Sequence, residues 1–91
     1  MKIFPNCYLI GQDNLLLECA KILRSTSFLI KGIISASKEI RAWAHSQQID
    51  CFDSLSEVDW EEGPADYLFS IVNNEIIPAS ILQHIRGLVI N

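Results

Sequence analysis

The stretch Tyr67–Asn91, YLFSIVNNEIIPASILQHIRGLVIN, decides the fold, because it reads as strand, turn, helix and a second strand. Tyr67–Val72 is a short apolar run rich in aromatic and β-branched residues, the composition of a strand covered on both faces. Asn73 and Asn74 follow, and asparagine tolerates turn conformations that most residues avoid. Pro78 suits the first turn of a helix, where its missing N–H costs nothing. Ile81, Leu82 and Ile85 recur at helical spacing, and Gly87 supplies the stop. Leu88-Val89-Ile90 then opens another buried strand that ends at Asn91.

Upstream of it the same alternation appears twice. Cys7–Ile10 reads as a first strand, closed by the turn Gly11–Asn14, with Asp13 or Asn14 placed to cap a helix. Leu16, Cys19, Ala20 and Leu23 form one apolar stripe on that helix, while Glu18 and Lys21 take the wet side. Phe28–Ile34 is a second strand, in which Gly32 marks a bulge or a close approach of another backbone. Ser35 or Ser37 starts a second helix whose Ile40, Trp43 and Ala44 share a face, and Ile49–Phe52 is a short third strand. Strands alternating with helices over short joints predict an α/β fold, an open parallel sheet of about five strands with helices on both faces.

One segment breaks the pattern. Asp53–Asp66 holds six acids and no base, interrupted by Leu55, Val58 and Trp60, and reads as an acidic solvated connector with a loosely docked turn.

Composition narrows the function. The 91 residues allow one small domain, and 49% hydrophobic content fits strands buried on two sides. A net charge of −4 without a Lys/Arg cluster argues against a nucleic-acid surface. No apolar run reaches the roughly 20 residues that span a bilayer, and Met1–Pro5 lacks the features of a secretory leader. Three cysteines, Cys7, Cys19 and Cys51, are an odd count without CxxC spacing, so reduced core thiols in a cytoplasmic protein are the plain reading.

Ligands of an open parallel sheet bind beyond the carboxyl ends of its strands. The residues to weigh are therefore Gly11–Asn14, Ser35–Ser37, Asp53, Asn73–Ile77 and Asn91. A dinucleotide fingerprint needs glycines at Gly11, Asp13 and Leu16, of which one is present, and Asp13 sets a negative charge where phosphate would sit. Ser35 stands where a ribose-binding acid would follow the second strand. His45, near the end of the second helix, and His84, in the third, have no acid or cysteine at ligand spacing, so no metal site is expected. Trp43 and Trp60 read as packing residues.

The run D-Y-L-F-S-I-V-N-N-E-I-I-P-A-S-I-L, Asp66–Leu82, followed by R-G-L-V-I-N, Arg86–Asn91, resembles the folate-dependent formyltransferases. In that family a strand ending in a small polar turn leads to an (I/L)-(I/L)-P helix start, and the next strand ends in Asn-x-His. The N-terminal half, with one glycine after the first strand and Ile40–Ala44 in the second helix, looks most like formyltransferase domains of hybrid peptide–polyketide synthetases. Methionyl-tRNA formyltransferases share the fold. The resemblance implies a Rossmann-like domain that moves a formyl group from 10-formyltetrahydrofolate to an amine. It implies Asn91 as the amide that donates to the oxyanion, and Asn74, Glu75, Ile76 and Ile77 as the turn against which the pterin lies. Without it, Asn91 reads as a polar strand end.

The family's histidine and aspartate would lie past Asn91, so residues 1–91 are expected to be the N-terminal part of the domain and inactive alone. Two other classes stay open: a non-catalytic docking module that self-associates through exposed strand edges, and a nucleotide-sensing domain.

Overall fold

A computed structural model of the chain describes residues 4–61, 65–71, 77–85 and 89–90. The elements run β1 (Asn6–Ile10), α1 (Asn14–Ser25), β2 (Leu29–Ile34), α2 (Lys38–Ser46), β3 (Asp50–Phe52), a 3-10 turn (Leu55–Glu57), β4 (Tyr67–Ser70), α3 (Ala79–Leu82) and β5 (Val89–Ile90). Every pairing is parallel, in the order β3-β2-β1-β4-β5. Four strands of three to six residues carry the sheet, and Val89–Ile90 adds a two-residue fifth. The parallel α/β layout expected from the alternating elements is therefore what forms.

Alternation of side chains along β1 divides the core. Cys7 and Leu9, both 0% exposed, point to a first face, where they meet Leu16 and Ala20 of α1 and Ile40 and Ala44 of α2. Tyr8 and Ile10 point to the second face, which Leu55, Val58 and Trp60 cover. Burying one such aliphatic side chain is worth about 1.5–3 kcal/mol, so each face is a substantial part of the stability.

The phase of β2 carries a defect. Ile30 and Ile33 lie in the first cluster and Ile34 in the second, a spacing that strict two-residue alternation forbids. The pairing explains it: Cys7 faces Ile30 and Tyr8 faces Gly32, leaving Lys31 as one extra residue. The bulge expected from Gly32 is present beside it.

The two long helices start where their caps stand. Asp13 accepts the Leu15 N–H at 2.9 Å, and Ser37 accepts the Ile40 N–H at 3.5 Å. At the amino ends of the strands, Asn6 and Asp66 are tied reciprocally: the Asn6 N–H donates to the Asp66 carboxylate at 2.9 Å, and the Asp66 N–H to the Asn6 side-chain carbonyl at 2.7 Å. That pair fixes β4 beside β1 across sixty residues of sequence.

Four expectations need correction. The turn in the acidic segment is not loosely docked: Leu55, Val58 and Trp60 are 3, 6 and 7% exposed. Its acids Asp53, Glu57, Asp59 and Glu61 do face solvent. The third helix ends at Leu82, so Ile85 does not continue a helical stripe but forms a parallel bridge with Ala65, and His84 lies in the turn between. Tyr67 and Phe69 of β4 are only half-buried, so that strand is not covered on both faces. Cys19 and Cys51 are likewise half-buried, and only Cys7 is a fully enclosed thiol.

Candidate functional site at the carboxyl edge of the sheet

Strand order reverses between β1 and β4. Gly11 makes the junction possible. A Cβ on it would fall 2.2 Å from the Ile71 carbonyl oxygen, inside any tolerable contact, so only glycine lets the β1 exit pass the β4 exit. Its N–H donates to the Ile34 carbonyl at 3.2 Å, and the Ile71 N–H donates to that of Ile10 at 2.9 Å. Both exits are thus fixed by backbone bonds rather than by side chains.

Beside the junction the ends of β1, β2 and β3 share a polar network. Gln12, itself exposed, turns its side-chain carbonyl inward to accept the Ser35 hydroxyl at 3.1 Å and the Ala36 N–H at 2.8 Å. Ser35 is 0% exposed; its N–H donates to Phe52 at 2.8 Å and its hydroxyl accepts the Ser37 N–H at 3.1 Å. The Arg41 guanidinium donates to the Ser35 carbonyl at 3.3 Å and forms an ion pair with Asp53. Each buried polar atom here has a partner, as a buried network requires.

The network also shows what the edge does not offer. The Asp13 carboxylate occupies the α1 amide that a pyrophosphate would use, and Gln12 already holds the amide before α2. Each helix start thus already has an amide held by a side chain of this chain.

Cys7 and Cys51 are poor nucleophiles. Burial pushes Cys7 up to about 12. Burial also raises Cys51, helped by the Asp53 charge and opposed by Arg41. Both stay protonated at neutral pH, where a thiol neither attacks nor binds metal well. Among the described residues no group of three or more His, Cys, Asp or Glu side chains could hold a metal ion, and no helix is long and apolar enough to cross a membrane.

Of the residues the resemblance singled out, Ile77 is described: it is half-buried and packs with Ile81 against the second-face core. Asn74, Glu75, Ile76 and Asn91 lie outside the described residues. Both histidines sit away from this edge. His45 is exposed in the last turn of α2, which runs from the carboxyl edge back toward the start of β3. The His84 carbonyl accepts the Ala65 N–H at 2.9 Å, just ahead of β4.

Gln12 stands in the sequence only as part of the turn Gly11–Asn14, and Arg41 carries no signal of a place at this edge. Their partners are 6 to 24 residues away, and the single local hint was a glutamine directly after the first strand's glycine. No family model, curated protein or solved structure matches the chain.

Proposed function

We propose that the chain forms the folate side of a Rossmann-like formyltransferase domain, which moves a formyl group from 10-formyltetrahydrofolate to an amine. The observation that carries this reading is the Gly11–Ile71 junction. The strand that opens the resembling segment leaves the sheet at the reversal of strand order, the position where open parallel sheets receive flat ligands.

In this reading the backbone of Asn74–Ile77 offers donors and acceptors to the pterin edge, and Ile77 offers hydrocarbon to its face. The amine nitrogen attacks the formyl carbon to give a tetrahedral oxyanion, which the Asn91 amide N–H stabilises. The folate nitrogen then leaves as it takes up a proton, and the new amide gives up the amine's proton. His45 and His84 both lie toward the amino edge, so neither serves as that base.

Titration with 5-formyltetrahydrofolate, a stable isomer of the donor, followed by 1H–15N correlation spectra, tests the reading. Expected are saturable shifts at the amides of Gly11, Ile71 and Ile77. No shift at millimolar ligand, or shifts confined to the amino edge, would end it. Equal shifts with ATP or NAD would favour a nucleotide-sensing domain instead.

A further inference from the structure

A concavity of about 540 Å³ opens on the second face of the sheet, over β1, β2 and β3 and away from the β1–β4 junction. Its floor depends on the bulge in β2. A Cβ on Gly32 would fall 2.9 Å from the Tyr8 ring and 2.8 Å from the Phe52 ring, so the glycine lets both aromatics settle against the sheet. The extra residue, Lys31, sends its ammonium to the same face, 5.9 Å from the centroid of the Tyr8 ring. Val58 lines one wall, and Asp50, Glu57 and Asp59 stand around the opening.

We infer that this groove binds a small aliphatic diamine, its methylene chain against Phe52 and Val58 and its ammonium groups on the carboxylates of Asp50 and Asp59. The class follows from charge and shape together. Three carboxylates against one ammonium leave two negative charges in excess, which repels anions and matches a dication. A wholly apolar ligand would strip water from those carboxylates without replacing it. Lys31 over Tyr8 shows that an alkylammonium is at home on this floor.

The rim is also preset. One oxygen of Glu57 accepts the Asp53 N–H at 3.3 Å, and one of Asp59 accepts the Glu61 N–H at 3.2 Å. These bonds orient the carboxylates and leave acceptor sites for a ligand.

Trp60 supplies the readout, because its ring lies 4.8 Å from that of Tyr8. The chain has two tryptophans, so a Trp43→Phe background leaves Trp60 as the only tryptophan. Putrescine is expected to change its fluorescence saturably, while NaCl and MgCl2 at matched ionic strength do not. Asp50→Asn combined with Asp59→Asn, both at exposed positions, should weaken binding about tenfold. In the unmodified chain the Gly32 amide should shift with the same midpoint. No saturable change, an equal response to Mg2+, or unchanged binding in the double variant would overturn the assignment. The result is independent of the folate reading, whose shifts are expected at Gly11, Ile71 and Ile77.

Discussion

The two faces of the sheet are covered by different means. The first lies under α1 and α2, helices of twelve and nine residues, each with a side-chain N-cap and an apolar stripe. The second is closed by a three-residue 3-10 turn and the four-residue α3, neither with a side-chain cap. Yet Leu55, Val58 and Trp60 are nearly as enclosed as anything under the helices. A sheet face needs apolar groups at the right places, and a helix is one way of delivering them. The turn stays in place because the Trp60 indole N–H donates to the buried Leu55 carbonyl at 3.0 Å and its ring rests on Tyr8. The helices bring local order of their own, whereas the turn has order only while docked.

The sharpest way to break this comparison is to hollow out the first face. Leu9 is 0% exposed between the sheet and both helices. Leu9→Ala should cost about 2–5 kcal/mol. Domains are stable by only about 5–15 kcal/mol, and small ones sit low in that range, so urea unfolding should show a large fall in midpoint. Ile81→Ala, at the half-buried position of the otherwise exposed α3, should cost about 1 kcal/mol. Equal losses at the two positions would mean that the faces are not packed as differently as the helices suggest.

A smaller effect is expected from the turn. Trp60→Phe keeps an aromatic ring but removes the indole donor, leaving the Leu55 carbonyl with only the Val58 N–H at 3.3 Å. A loss of about 0.5–1.5 kcal/mol follows. Hydrogen exchange should quicken over residues 55–60 while α1 and α2 keep their protection. If both helices lose protection equally, the turn is not a separate docked unit.

This contrast also explains what could be read from the sequence. The β1-α1-β2-α2-β3 run was legible because its signals are local. Asp13 and Ser37 are good caps, Gly11 ends a strand, and Leu16, Ala20, Ile40 and Ala44 recur at helical spacing. The second face was legible only in part. Leu55, Val58 and Trp60 stand out from the six acids of Asp53–Asp66 as a docked turn, but how tightly they dock depends on Tyr8 and Ile10, some fifty residues earlier. Ile85 fits the helical spacing of Ile81, but its bridge to Ala65 wins, because strand pairing is settled by distant chain. Gly32 signalled a bulge, yet nothing local said that Lys31 would change face. At the candidate site the loop ends were legible and the Gln12–Ser35 and Arg41–Asp53 links were not, since each joins separate strand ends. Asn74, Glu75, Ile76 and Asn91 rest on the resemblance alone.

The subtlest test again sets the first face apart. Cys7 is fully enclosed there, and burial pushes its thiol up to about 12 from an ordinary 9.0. The folded chain therefore keeps a proton that the unfolded chain releases sooner. Below pH 9 both states hold it, and the thiol adds no pH dependence. As pH rises from about 9 toward 12, the unfolded state loses the proton first, so stability falls across that window. Cys7→Ala should make the alkaline slope of the unfolding free energy shallower than that of the unmodified chain, whatever small constant cost the substitution carries. Lysine and tyrosine titrations are common to both proteins and cancel in the difference. Parallel slopes would mean that water reaches this thiol in the folded state, and that α1 does not seal the first face at Cys7.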